Sequence, residues 1–155
     1  MRNMKPDAKT TSIERSHAIL AAMQEEMRQQ VLGEMRPAGQ LATLAGRSTT
    51  EIRRDLDLWT ADGRMLSVRH EGVDYFALFA LNPAEGYRPY PAVADAIRIL
   101  SPVLNSDNAW GLASWFIGLN GFLDDLRPAD LLASDPEWVI EAAKDEVNDA
   151  KYPHG

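Results

Sequence analysis

The chain has 155 residues, 45% hydrophobic and 25% charged, with a net charge of −7 and no cysteine. That size and balance suit one medium domain or two small ones and exclude wholesale disorder, while the missing cysteine excludes disulfide staples, thiolate metal sites and a cysteine nucleophile. No apolar run approaches the roughly 18 residues of a membrane span, and the polar start Met1–Asp7 is unlike a secretory leader, so the expectation is a soluble cytoplasmic protein with no membrane partner.

Residues 1–10 are polar and predict a mobile tail. Thr11 and Glu14 form a capping box that opens a long helix over 11–35. Ile13, Leu20, Met23, Met27, Val31 and Met35 recur on it at helical spacing, a stripe suited to the protein's own core or to its copy in a homodimer. Gly33 and Arg36-Pro37 mark its end. A short helix over 37–45 follows, then a tight turn at Gly46-Arg47. A second helix over 48–61 begins at a Ser48/Glu51 capping box and stops at Asp62-Gly63. From Met65 to Phe79 the pattern switches to period two, with Glu71-Gly72 as a hairpin turn.

Pro83, Gly86, Pro89 and Pro91 then predict a stiff loop and a domain boundary near residue 85. Beyond it, Val93, Ile97, Leu100 and Leu104 line one face of a helix over 92–104. Ser106-Asp107-Asn108 offers caps for another over 109–119, and a short helical turn follows Arg127-Pro128. Asp135-Pro136-Glu137 starts the last helix, with Val139, Ile140, Ala143 and Val147 inward. The expected fold is mainly α: a winged helix-turn-helix with one β-hairpin over 36–84, then a small helical domain over 85–155.

In a helix-turn-helix, Ala42 lets the helices approach, Gly46 takes the left-handed turn and Ile52 packs the second helix down. That arrangement aims Arg47, Ser48, Thr49, Thr50, Arg53 and Arg54 at a major groove, with Arg69 on the wing near phosphate. Charge is uneven along the chain. Residues 1–90 hold 12 basic and 12 acidic side chains, and residues 91–155 hold 4 and 11. The neutral part tolerates DNA, and the acidic part suits a basic protein partner. The rival reading is a scaffold helix-turn-helix without DNA. Arginines on one open face favour the first reading; pairing with Asp55 or Asp57 favours the second.

Catalytic patterns are absent. His17, His70 and His154 show no ligand spacing, Asp124-Asp125 reads as turn and cap, and Gly111, Gly118 and Gly121 do not form a phosphate loop. The expectation is a non-enzyme with no cofactor and no metal. The apolar segment Trp115–Leu132, broken by turn residues, builds a core or a docking surface. Trp115 and Phe116 are adjacent, so at about 100° per residue both cannot face one core fully. One of them is expected to meet a partner.

This C-terminal segment resembles the toxin-binding domain of the Xre/MbcA/ParS-type antitoxins, with a Trp-centred helix at Trp115-Phe116, then Asn120, Leu123, Arg127-Pro128, Leu131-Leu132 and a last helix around Val139–Ala143. Gly121 stands where that family usually has proline, and Asp124-Asp125 replace a glycine turn. The resemblance implies operator DNA as one partner and, as the other, a RES-domain toxin that the antitoxin's C-terminus obstructs. On this reading the chain is an antitoxin-like regulator of its own operon. Its partner-binding residues are then Trp115, Phe116, Asn120, Phe122, Arg127 and, in the tail, Tyr152 and His154.

Overall fold

The computed structural model describes residues 8–104 and 109–151. The expected tail over 1–7, the Ser106-Asp107-Asn108 caps, Tyr152 and His154 lie outside the described residues. The chain divides into two units, residues 1–30 and 31–155.

The described residues of the first unit are helical. α1, Ala8–Gly33, starts before Thr11, which therefore lies inside the helix instead of capping it. Every residue from Ser12 to Gln30 is exposed, including Ile13, Ile19, Leu20, Met23 and Met27. Of the expected apolar stripe, only Val31 and Met35 are buried, and both belong to the second unit.

In the second unit Met35 leaves the helix to join a strand, β1 (Met35–Pro37). Pro37 ends that strand at φ −70°, ψ 158°, and α2 (Ala38–Ala45) begins after it. Gly46 closes α2 in the left-handed region at φ 66°, where a Cβ would strain the backbone. The next amide, Arg47, donates to the Ala42 carbonyl at 3.0 Å. The Ser48 hydroxyl then accepts from the Glu51 amide at 3.2 Å and starts α3, Thr49–Ala61. Ala42 and Ile52 are both buried, so the two helices pack through the residues the spacing singles out.

β2 (Ser67–His70) and β3 (Val73–Ala77) form the expected hairpin. Glu71 at φ 50° and Gly72 at φ 79° are both left-handed, the mirror-type turn whose twist matches that of paired strands. β1 adds a third antiparallel strand on the other side of β3, pairing Met35 with Ala77 and Pro37 with Tyr75. As an edge strand it tolerates a proline that cannot donate. The expected strand does not reach Phe79, because Leu78–Ala80 turn as a 3-10 helix. The predicted stiff loop over 82–91 is corrected too: β4 (Leu81–Asn82) pairs with β5 (Arg88–Pro89) around left-handed Gly86 and Tyr87.

α4 (Pro91–Leu104) packs against α7 (Pro136–Lys151), with α5 (Ala109–Ile117) and α6 (Pro128–Leu131) beside them. Leu41, Ile52 and Phe76 share one core with Val93, Leu100, Phe116 and Val139. The Phe79 and Phe116 rings meet at 5.4 Å. Side chains from both sides of residue 85 therefore fill the same interior. The chain is mainly helical, with seven α-helices and a small antiparallel sheet among the described residues, none of the helices long and apolar enough to cross a membrane.

Candidate functional site

Two surfaces of the second unit carry the predicted residues. On α3, Ser48, Thr49, Thr50 and Arg54 are exposed, but the other arginines are engaged. Arg47 Nη1 bonds Asp55 at 2.6 Å and its Nε lies 3.6 Å from Glu51. Arg53 Nε grips both oxygens of Asp57 at 2.9 and 3.1 Å, and its Nη2 bonds Asp74 on β3 at 2.6 Å. Its guanidinium also stands 5.4 Å from the centre of the Phe76 ring. Arg69, the wing residue, bonds the second oxygen of Asp74 at 3.0 Å. Asp74 is thus a single carboxylate shared by two guanidinium groups. The Arg53 hydrogen bond, helped by Arg69, holds its carboxyl below the ordinary range. Of the four arginines predicted to meet DNA, Arg54 alone takes part in none of the ion pairs among the described residues.

From Arg47 to Asp74 the sequence holds five arginines and six carboxylates. A guanidinium already bonded to two carboxylates must break those bonds before it reaches a phosphate. Arg47, Arg53 and Arg69 are thus paired with Asp55, Asp57 and Asp74, while Arg54 stays exposed.

The second surface is a groove of about 320 Å³ between the segment after α5 and the last turns of α7. Trp115, Leu119, Asn120 and Phe122 form one wall; Asp145, Glu146 and Asp149 form the other. Leu119 is 76% exposed, Phe122 42% and nearby Leu126 46%. Asn120 shapes the wall: its side chain accepts from the Phe122 amide at 3.0 Å, and its backbone bridges to Leu126. Asp124 and Asp125 then take consecutive left-handed conformations, φ 56° and 63°, which turn the chain back and fix Phe122 outward of Leu123.

The adjacent aromatics separate as helix geometry requires. Phe116 is fully buried, so its expected partner contact is corrected to a core role, and Trp115 is half-buried at the groove, edge-on to it at 5.1 Å. The Trp115 indole Nε1–H is buried and has no hydrogen-bond partner among the described residues. A buried donor without an acceptor is costly to the fold. Arg127 is corrected likewise. It chelates Asp130 at 2.9 and 3.0 Å and reaches Glu34 at 3.2 Å, and these carboxylates raise its pKa further. Its guanidinium ties the loop before α6 to the start of the unit instead of facing outward.

Sequence reasoning missed Leu119, Leu126 and the acidic wall. The α7 carboxylates are detectable as the polar side of an amphipathic helix, but only the fold sets them opposite Phe122. Among the described residues no cluster of three or more His, Asp or Glu is placed to hold a metal ion. Comparison with protein-family models, curated proteins and solved structures finds no match for this chain.

Proposed function

We propose that this chain is a protein-binding regulator that acts by occupying a partner through the α5–α7 groove, and that its helix-turn-helix and hairpin form a winged scaffold which does not read DNA. The observation that carries this reading is the contrast in how the two surfaces use their groups. Arg47, Arg53 and Arg69 are bonded internally, whereas the groove leaves Leu119 and Phe122 in water. Groups left unsatisfied at a surface gain most from a partner; groups already bonded gain least. The acidic wall selects a basic, partly apolar protein segment.

The resemblance of residues 92–155 to the Xre/MbcA/ParS-type antitoxins supplies the candidate occupant, a RES-domain toxin in the cytoplasm, which the bound regulator obstructs. Calorimetric titration of the chain with a purified RES-domain toxin encoded beside it tests this. Binding is expected, and Leu119→Glu with Phe122→Glu should weaken it by at least about tenfold, the loss of one strong contact region. A duplex of the chain's own promoter, titrated in parallel over a range of salt, should show no salt-dependent affinity. No binding to the toxin together with salt-dependent DNA binding that Arg54→Ala abolishes would reverse the assignment.

A further inference from the structure

α1 is exposed on every side from Ser12 to Gln30. A helix of this length that buries no face is marginal in water, because its stability normally comes from burying one. Ile13, Leu20 and Met27 follow at seven-residue spacing with Met23 beside them, and at 100° per residue the four fall within a sector of roughly 80°. All four are exposed. The stripe is also symmetric, since Ile13 lies as far before Leu20 as Met27 lies after it.

We infer that α1 pairs with α1 of a second copy of this chain, antiparallel and centred on Leu20. Reversal sets Leu20 against its own copy and Ile13 against Met27 at both ends, so one apolar seam serves both chains. Arg15 and Glu26 share a flank of the helix, within roughly 20° of each other, and reversal brings each opposite the other across the pair. Charge selects this orientation over the parallel one. Residues 8–17 hold two basic and one acidic side chain, and residues 18–30 one and two, so reversal faces a positive half with a negative one. The following chain, residues 31–155, holds 11 basic and 19 acidic side chains, a charge of −8. A parallel pair joins two such chains to the same end of the seam. An antiparallel pair centred on Leu20 attaches them at ends about 30 Å apart, ten residues either side of the centre, well beyond a Debye length of roughly 8 Å.

This pairing is independent of what occupies the groove, and the 155-residue chain tests it directly because it has no cysteine of its own. Light scattering should give twice the 17.2 kDa chain mass. Under mild oxidation Leu20→Cys should link to itself, and Ile13→Cys mixed with Met27→Cys should give the mixed dimer, each several-fold more than Ile13→Cys alone. Leu20→Glu combined with Met23→Glu should return the chain to a monomer with the sheet and C-terminal helices intact by amide exchange. A wild-type monomer, or Ile13→Cys linking to itself as well as Leu20→Cys does, would overturn the assignment.

Discussion

Asp74 decides what the surface around α3 presents. Its two oxygens bond Arg53 and Arg69 separately, so one carboxylate on β3 engages both a predicted recognition residue and a predicted wing residue. Its folded pKa lies below the ordinary value, so the charged form is favoured by folding. The stability this contributes is fully present above the unfolded carboxylate pKa and disappears as pH falls through the lower, folded one. Asp74→Asn should therefore cost about 1 kcal/mol near neutral pH, and the gap to wild type should close in strong acid. Urea melts at both pH values check this; an equal cost at both would show that packing, not charge, makes the difference. Arg54, only one residue from Arg53, has no such carboxylate. Sequence spacing marks the Arg53–Asp57 pair, four positions apart, but not the Arg53–Asp74 bond, whose partner lies 21 positions away.

At the scale of elements, the helix-turn-helix offers a pair of substitutions with opposite signs. Gly46 is left-handed at φ 66° and a Cβ there would meet nothing within 4 Å, so any penalty comes from the backbone alone. Gly46→Ala should destabilise by about 1 kcal/mol. Gly39 lies inside α2, has equally open space and needs no positive φ, so Gly39→Ala should stabilise by up to about 1 kcal/mol. Denaturant midpoints at unchanged slope measure both, and a shared sign would refute the left-handed cap. Such caps were legible in the sequence because Gly46, Ser48 and Gly72 satisfy local rules that act over three or four residues. β1, β4 and β5 were not legible. Strands of two or three residues hold no period, and each exists only because a distant segment offers its hydrogen bonds. The start of α1 was misplaced for a related reason, since a capping pattern at Thr11 does not stop a helix from extending backwards.

Across the whole molecule, the candidate site was half legible. Trp115, Asn120 and Phe122 stand out as aromatic and turn residues in one short segment. Phe116 and Arg127 share that segment but face the core and Glu34, and only three-dimensional packing separates them from their neighbours. The acidic wall comes from α7, which no local pattern connects to Phe122. The single interior filled from both sides of the β4–β5 hairpin has a practical corollary. Neither residues 1–85 nor residues 86–155 can close that interior alone, since Phe79 needs Phe116 and Glu34 needs Arg127. A nick at the exposed Glu85-Gly86 bond should leave two pieces that stay together. Expressed separately, each should lack a cooperative thermal transition, and mixing should restore it. The pair would then behave as a split protein, able to report whether two fused passengers meet.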